Sequence, residues 1–147
     1  MKRNVLFAAL FASLATLSAT QAFARDTVAN YPVAPALQSE PGKVGDDVAL
    51  YFAGQPHPAV EKAMGEFATN KKTNAFGKSD LEACQHVFLS AVIELQERAR
   101  KEGGNAVINI KSNYKNELRE SATEYTCGAG AVIAGVALTG EVVTLRK

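Results

Sequence analysis

GAGAVIAGVALTG, residues Gly128–Gly140, is the stretch whose reading decides the fold. Gly130 and Gly135 have four residues between them, as in a phosphate-binding loop. The residues around them are apolar, as in a membrane segment or a buried strand. A phosphate loop needs Lys and Ser/Thr directly after its second glycine to meet phosphate and magnesium, and Val136 and Ala137 stand there. The dinucleotide fingerprint G-x-G-x-x-G fails too: Gly128 and Gly130 are followed by Ile133 where the third glycine belongs, and no helical pattern opens there. The uncharged run Thr126–Gly140 is shorter than a bilayer span and ends at Glu141. A buried strand remains, its glycines marking bends or close packing under a helix, with Val142–Leu145 continuing as the last strand. No nucleotide is expected.

The N-terminus sets the compartment. Lys2 and Arg3 precede the apolar run Val5–Leu17, and Ala22-Phe23-Ala24 follows. A basic start, a short apolar run and an A-x-A site predict a secretory signal over residues 1–24, cut between Ala24 and Arg25. The exported chain then has 123 residues, one domain's worth. Lys2 and Arg3 leave with the signal, so 14 basic side chains face 15 acidic ones and the net charge is −1. Without a basic excess, nucleic acid is not an expected partner. No cysteine follows the cut to take a lipid, so a soluble periplasmic or secreted protein without a transmembrane anchor is expected.

The chain's two cysteines, Cys84 and Cys127, both belong to the exported part, where oxidising conditions favour a bridge. Ser79-Asp80-Leu81-Glu82 is a capping box that opens a long helix. Along it Cys84, Val87, Phe88, Ala91, Leu95 and Ala99 form one apolar face. Glu94 with Arg98, and Glu97 with Lys101, are spaced as i,i+4 pairs on the other. Gly103-Gly104 ends the helix.

Residues 25–45, with Pro32, Pro35, Pro41 and Gly42, read as an extended arm, and 46–147 as a single α+β domain. Val48–Ala53 reads as the first core strand, and Lys62–Thr73 as a further strand. Residues from Asn105 form a strand, Lys115–Glu120 a turn, and Ser121–Cys127 its hairpin return. The expected fold is one long helix packed on a mainly antiparallel sheet of four or five strands.

Chemistry is sparse. His57 sits in a proline-flanked loop, and His86 is two residues beyond Cys84, about 200° round a helix, so the two cannot readily share a metal. Glu82 and His86 suit an exposed i,i+4 pair. No catalytic, cofactor or metal residues are assigned. Lys71 and Lys72, with Lys62 and Lys78 nearby, could meet an acidic partner or an anionic head group, and Lys115 joins Lys71 and Lys72 as a candidate interaction surface. The alternatives are a metal or small ligand held by Cys84, Cys127 and a histidine, or an enzyme of unfamiliar design.

GEFATNKKTNAFGKSDLEAC (65–84), LQERARKEGGNAVINIKS (95–112) and ATEYTCGAGAVIAGVALTGEVV (122–143) together resemble a family of small exported bacterial proteins of uncharacterised role. Some members carry the label excinuclease ATPase subunit, which the missing phosphate loop, the short chain and the export signal contradict. The order of helix, G-G-N-A-V, hairpin and Gly-rich strand is more distantly similar to the YbjQ-like domain and to the domain of the Rcs envelope-stress sensor lipoprotein. That resemblance implies a helix on a mainly antiparallel sheet, disulfide support and contact with another envelope protein. It does not carry over the sensor's lipid anchor or its extra cysteines.

Overall fold

A computed structural model describes residues 25–147; residues 1–24, where a signal is expected, lie outside the described residues. The chain runs β1 (Asp26–Pro32), α1 (Val33–Gln38), β2 (Ala49–Phe52), β3 (Val60–Asn74), α2 (Asp80–Glu102), β4 (Ala106–Tyr114), β5 (Glu117–Arg119), β6 (Glu124–Gly130) and β7 (Ile133–Leu145). Seven strands make one sheet. All its pairings are antiparallel except β2 with β4. The α+β class is as expected, and the described residues hold two helices rather than one and more strands than four or five.

Helix α2 is built as its sequence dictates. The Ser79 hydroxyl accepts from the Glu82 amide at 3.1 Å. Asp80 and Glu82 in the first turn, with Arg100 and Lys101 in the last, complement the helix dipole. Gly103 adopts φ 80°, a left-handed cap that side chains resist, and its amide closes on the Ala99 and Arg100 carbonyls. The stripe Cys84, Val87, Phe88, Ala91, Leu95 and Ala99 is buried against β7, β6 and β3.

Strand β7 is the spine, flanked by β3 on one side and by β6 and then β4 on the other. Ala134, Val136, Leu138 and Val142 enter the core under α2, whereas Val143 and Leu145 join a smaller cluster with Ala106 and Ile108. Alternation along a strand places that cluster on the opposite face. Asn109, at φ 52°, interrupts the β4–β7 register between Ile108 and Lys111, so Val107 and Ile110 both reach the helix side.

Residues 25–45 are not an extended arm. β1 pairs with β6 along its whole length, from Asp26 opposite Gly130 to Pro32 opposite Glu124, and α1 sets Val33 and Ala36 into the core. The prolines allow this. Pro32 ends an edge strand, and Pro35 occupies the first turn of α1, where backbone amides have no intrahelical partner to lose. Residues 60–74 form a strand as expected.

Two further readings need correction. The hairpin from β4 returns through short β5, across a turn in which Lys115 and Asn116 both have positive φ. That leaves β6 free to pair with β1 and β7 instead. The glycine-rich stretch is not one strand but the corner between two: β6 ends at Gly130 and β7 starts at Ile133, with Gly128 opposite Gly135.

Cys84 and Cys127 form a disulfide, both sulfurs fully buried, tying the second turn of α2 to the middle of β6. Phe88, one helical turn on, stacks on Tyr125 with ring centroids 4.0 Å apart. Buried Gln96 secures the segment ahead of β2, accepting from the Gly45 amide and donating to the Gly45 and Val48 carbonyls.

Candidate functional site

The β6–β7 corner and the last residues of β4 enclose a groove of about 510 Å³ on the side of β6 turned away from α2. Tyr125, Cys127 and Ala129 of β6 point into the core, so Gly128 and Gly130 present the opposite side. A Cβ on Gly128 would lie 1.9 Å from the Tyr114 hydroxyl oxygen. On Gly135 it would lie 3.5 Å from the same ring. These glycines therefore serve as the bed on which Tyr114 lies, with Ala137 extending the floor.

The walls are charged. Lys115 donates to Asp26 at 2.9 Å, and this hydrogen bond raises the lysine's pKa. Its ammonium also lies 5.5 Å from the centre of the Tyr114 ring, within cation–π range. Arg25 pairs with Asp80 at the start of α2. Across the groove, Asn70 and Lys72 rise from β3. Among the described residues Lys72 has no ion-pair partner, in contrast to Arg25 and Lys115.

Lys72 also borders a shallower depression shared with Phe76, Val132 and Ile133. Those three side chains are 74%, 58% and 54% exposed. The site thus combines a cationic rim, a flat aromatic and glycine floor, and an apolar lip. A ligand with an anionic group next to an apolar one would be met on both counts.

The structure brings Lys72 and Lys115 to one groove and separates Lys71 from them. Strand alternation turns Lys71 toward α2, where it pairs with Glu94 at 3.3 Å. Glu94 also accepts from the Thr69 hydroxyl. The expected Glu94–Arg98 pair is consequently absent: Arg98 stacks on Phe67 and pairs with Glu102. The pull of β3 decides both partnerships, which a single-helix pattern could not reveal. His86 pairs with Glu40, brought to it by the turn after α1, rather than with Glu82. His57 hydrogen-bonds the Pro58 carbonyl beside Tyr51.

With both sulfurs in the disulfide, neither cysteine is a thiolate available to a metal. Among the described residues no group of three or more His, Cys, Asp or Glu side chains converges to hold one. No helix of the described residues is long and apolar enough to cross a membrane.

Arg25, Asp26, Tyr114 and the lip residues were not singled out from sequence. The signal that could have found Tyr114 is the pair Gly128 and Gly135, since small residues facing one another across a hairpin leave room for a ring. No family model matches this chain, and no match was found among curated proteins or solved structures.

Proposed function

We propose that the protein is a non-enzymatic interaction module of the bacterial envelope, whose groove receives an acidic, partly apolar segment of another envelope protein. The observation that carries this reading is Lys72, a cation without an ion-pair partner among the described residues, set between a groove and an exposed apolar lip. An unpaired lysine beside Phe76, Val132 and Ile133 offers a partner both charge neutralisation and apolar burial. The lining holds one carboxylate, Asp26, to which Lys115 donates at 2.9 Å, so no second carboxylate stands opposite it to share acid and base roles.

The same reading places the protein in the periplasm or outside the cell, delivered by a signal cut between Ala24 and Arg25. The buried disulfide is compatible with that oxidising location. It also groups the domain with the YbjQ-like and Rcs-sensor domains, supported by the order of helix, hairpin and glycine-rich corner.

The test is in-cell photocrosslinking, with photoreactive residues replacing Lys72, Lys115 and, as a control on the far side of α2, Lys101. The expected result is one envelope-protein adduct shared by positions 72 and 115 and absent from 101. Adducts identical at all three positions, or none where an established envelope complex crosslinks, would overturn the proposal.

A further inference from the structure

β3 is the longest strand, fifteen residues, and among the described residues it pairs with β7 alone. One whole edge of backbone donors and acceptors is therefore left open. Most of its side chains are exposed. Long edges of this kind are templates for another strand unless bulges or charges spoil them. Here the register breaks are confined to one end, between Val60 and Lys62 and between Ala63 and Gly65, and the charges of the regular part, Glu66, Lys71 and Lys72, decide which neighbour it admits. From Glu66 opposite Glu141 to Asn74 opposite Ile133 the ladder is unbroken. That regular ribbon can accept a neighbour.

We propose that the protein forms a two-fold dimer in which β3 pairs antiparallel with β3 of a second copy, centred on Thr69. Continuing the sheet across a two-fold axis keeps each residue on its own face, so residue pairs must sum to twice the central position. With the axis at Thr69, Glu66 of each copy lies opposite Lys72 of the other, both on the face turned away from α2. Ala68 meets Asn70 between them. On the helix side Phe67 meets Lys71, whose charge arrives already balanced by Glu94, as that of Arg98 is by Glu102.

Neighbouring registers lose this match. An axis at Phe67 sets Lys62 against Lys72, and one at Lys71 sets that lysine against itself. An axis at Ala68 leaves Lys72 opposite Met64, and one at Asn70 leaves it opposite Ala68. Of these five registers, Thr69 alone pairs opposite charges and sets no like charges against each other. In the dimer the partner's Glu66 carboxylate reaches Lys72 at the strand edge while Lys72 stays one wall of the groove. A crosslink from position 72 to a second copy of this chain reports the dimer, and one to another envelope protein reports the proposed groove ligand.

Charge reversal tests this directly, because Glu66 and Lys72 are both exposed and their substitution leaves the core intact. Sedimentation equilibrium of the purified protein should show a concentration-dependent dimer. Glu66→Lys and Lys72→Glu, taken singly, each turn two attractive pairs into two repulsive ones and should weaken dimerisation roughly ten- to thirty-fold. The double variant restores both pairs with reversed polarity and should return to within about threefold of the wild type. A wild-type protein that stays monomeric to about 1 mM, single variants that dimerise normally, or a double variant that is not rescued would each overturn the proposal.

Discussion

Removing the disulfide should reveal how the two halves of the core are held. Replacing Cys84 and Cys127 by alanine opens a loop with a sequence separation of 43. On the chain-entropy account, closing a loop of that length restricts the unfolded state by about 4 kcal/mol at 25 °C. The folded state should survive the change, because the stacked Phe88 and Tyr125 rings hold the same two elements one helical turn away. Urea denaturation of the wild type and the double variant should therefore show the midpoint falling by an amount equivalent to about 4 kcal/mol. The slope should rise, since an unlinked unfolded chain exposes more surface. Near-ultraviolet circular dichroism of the tyrosines should be retained. A loss below about 1 kcal/mol, or an unchanged slope, would refute the view that the bridge acts chiefly on the unfolded ensemble.

Other perturbations address the sites that support the groove and the core. Gln96→Leu should cost about 2–4 kcal/mol, because it strands the Gly45 amide and the Gly45 and Val48 carbonyls, a loss that thermal denaturation would register. Tyr125→Phe should be neutral or stabilising by up to about 1 kcal/mol. Its buried hydroxyl has no hydrogen-bond partner among the described residues, and burial holds its pKa well above the usual tyrosine value. Gly128→Ala should cost about 1–3 kcal/mol by driving Tyr114 off its bed. Combining it with Tyr114→Ala should recover most of that loss, and a double-mutant cycle without coupling would contradict the packing described.

Helix α2 was legible because its signals are local. Ser79 and Gly103 mark its ends, and the stripe from Cys84 to Ala99 repeats with one period. The Cys84–Cys127 bridge was legible from the expected compartment and the cysteine number. What escaped depended on residues distant in sequence. β1 owes its strand conformation to β6, about a hundred residues away, and nothing in Asp26–Pro32 announces that partner. Pro32 and Pro35 argued for a loop because their tolerated places, a strand end and a first helical turn, exist only once the ends are known. The groove escaped for the same reason: Tyr114, Gly128 and Gly135 come from three strands, and Lys72 from a fourth. Alternation along β3 also split Lys71 from Lys72, adjacent residues that the sequence had offered as one patch.

The order of strand pairing bears on how the chain is made. None of the three strands that precede α2 pairs with another of the three: β1 waits for β6, β2 for β4 and β3 for β7. A growing chain halted after α2 would hold three strands and no ladder: β2 gains its partner with β4, β1 only with β6, and β3 only with the last strand. Closing such distant pairs is slow compared with forming local ones. β3, the longest strand, stays without a partner until the last strand emerges, so its backbone is open to other chains for most of synthesis.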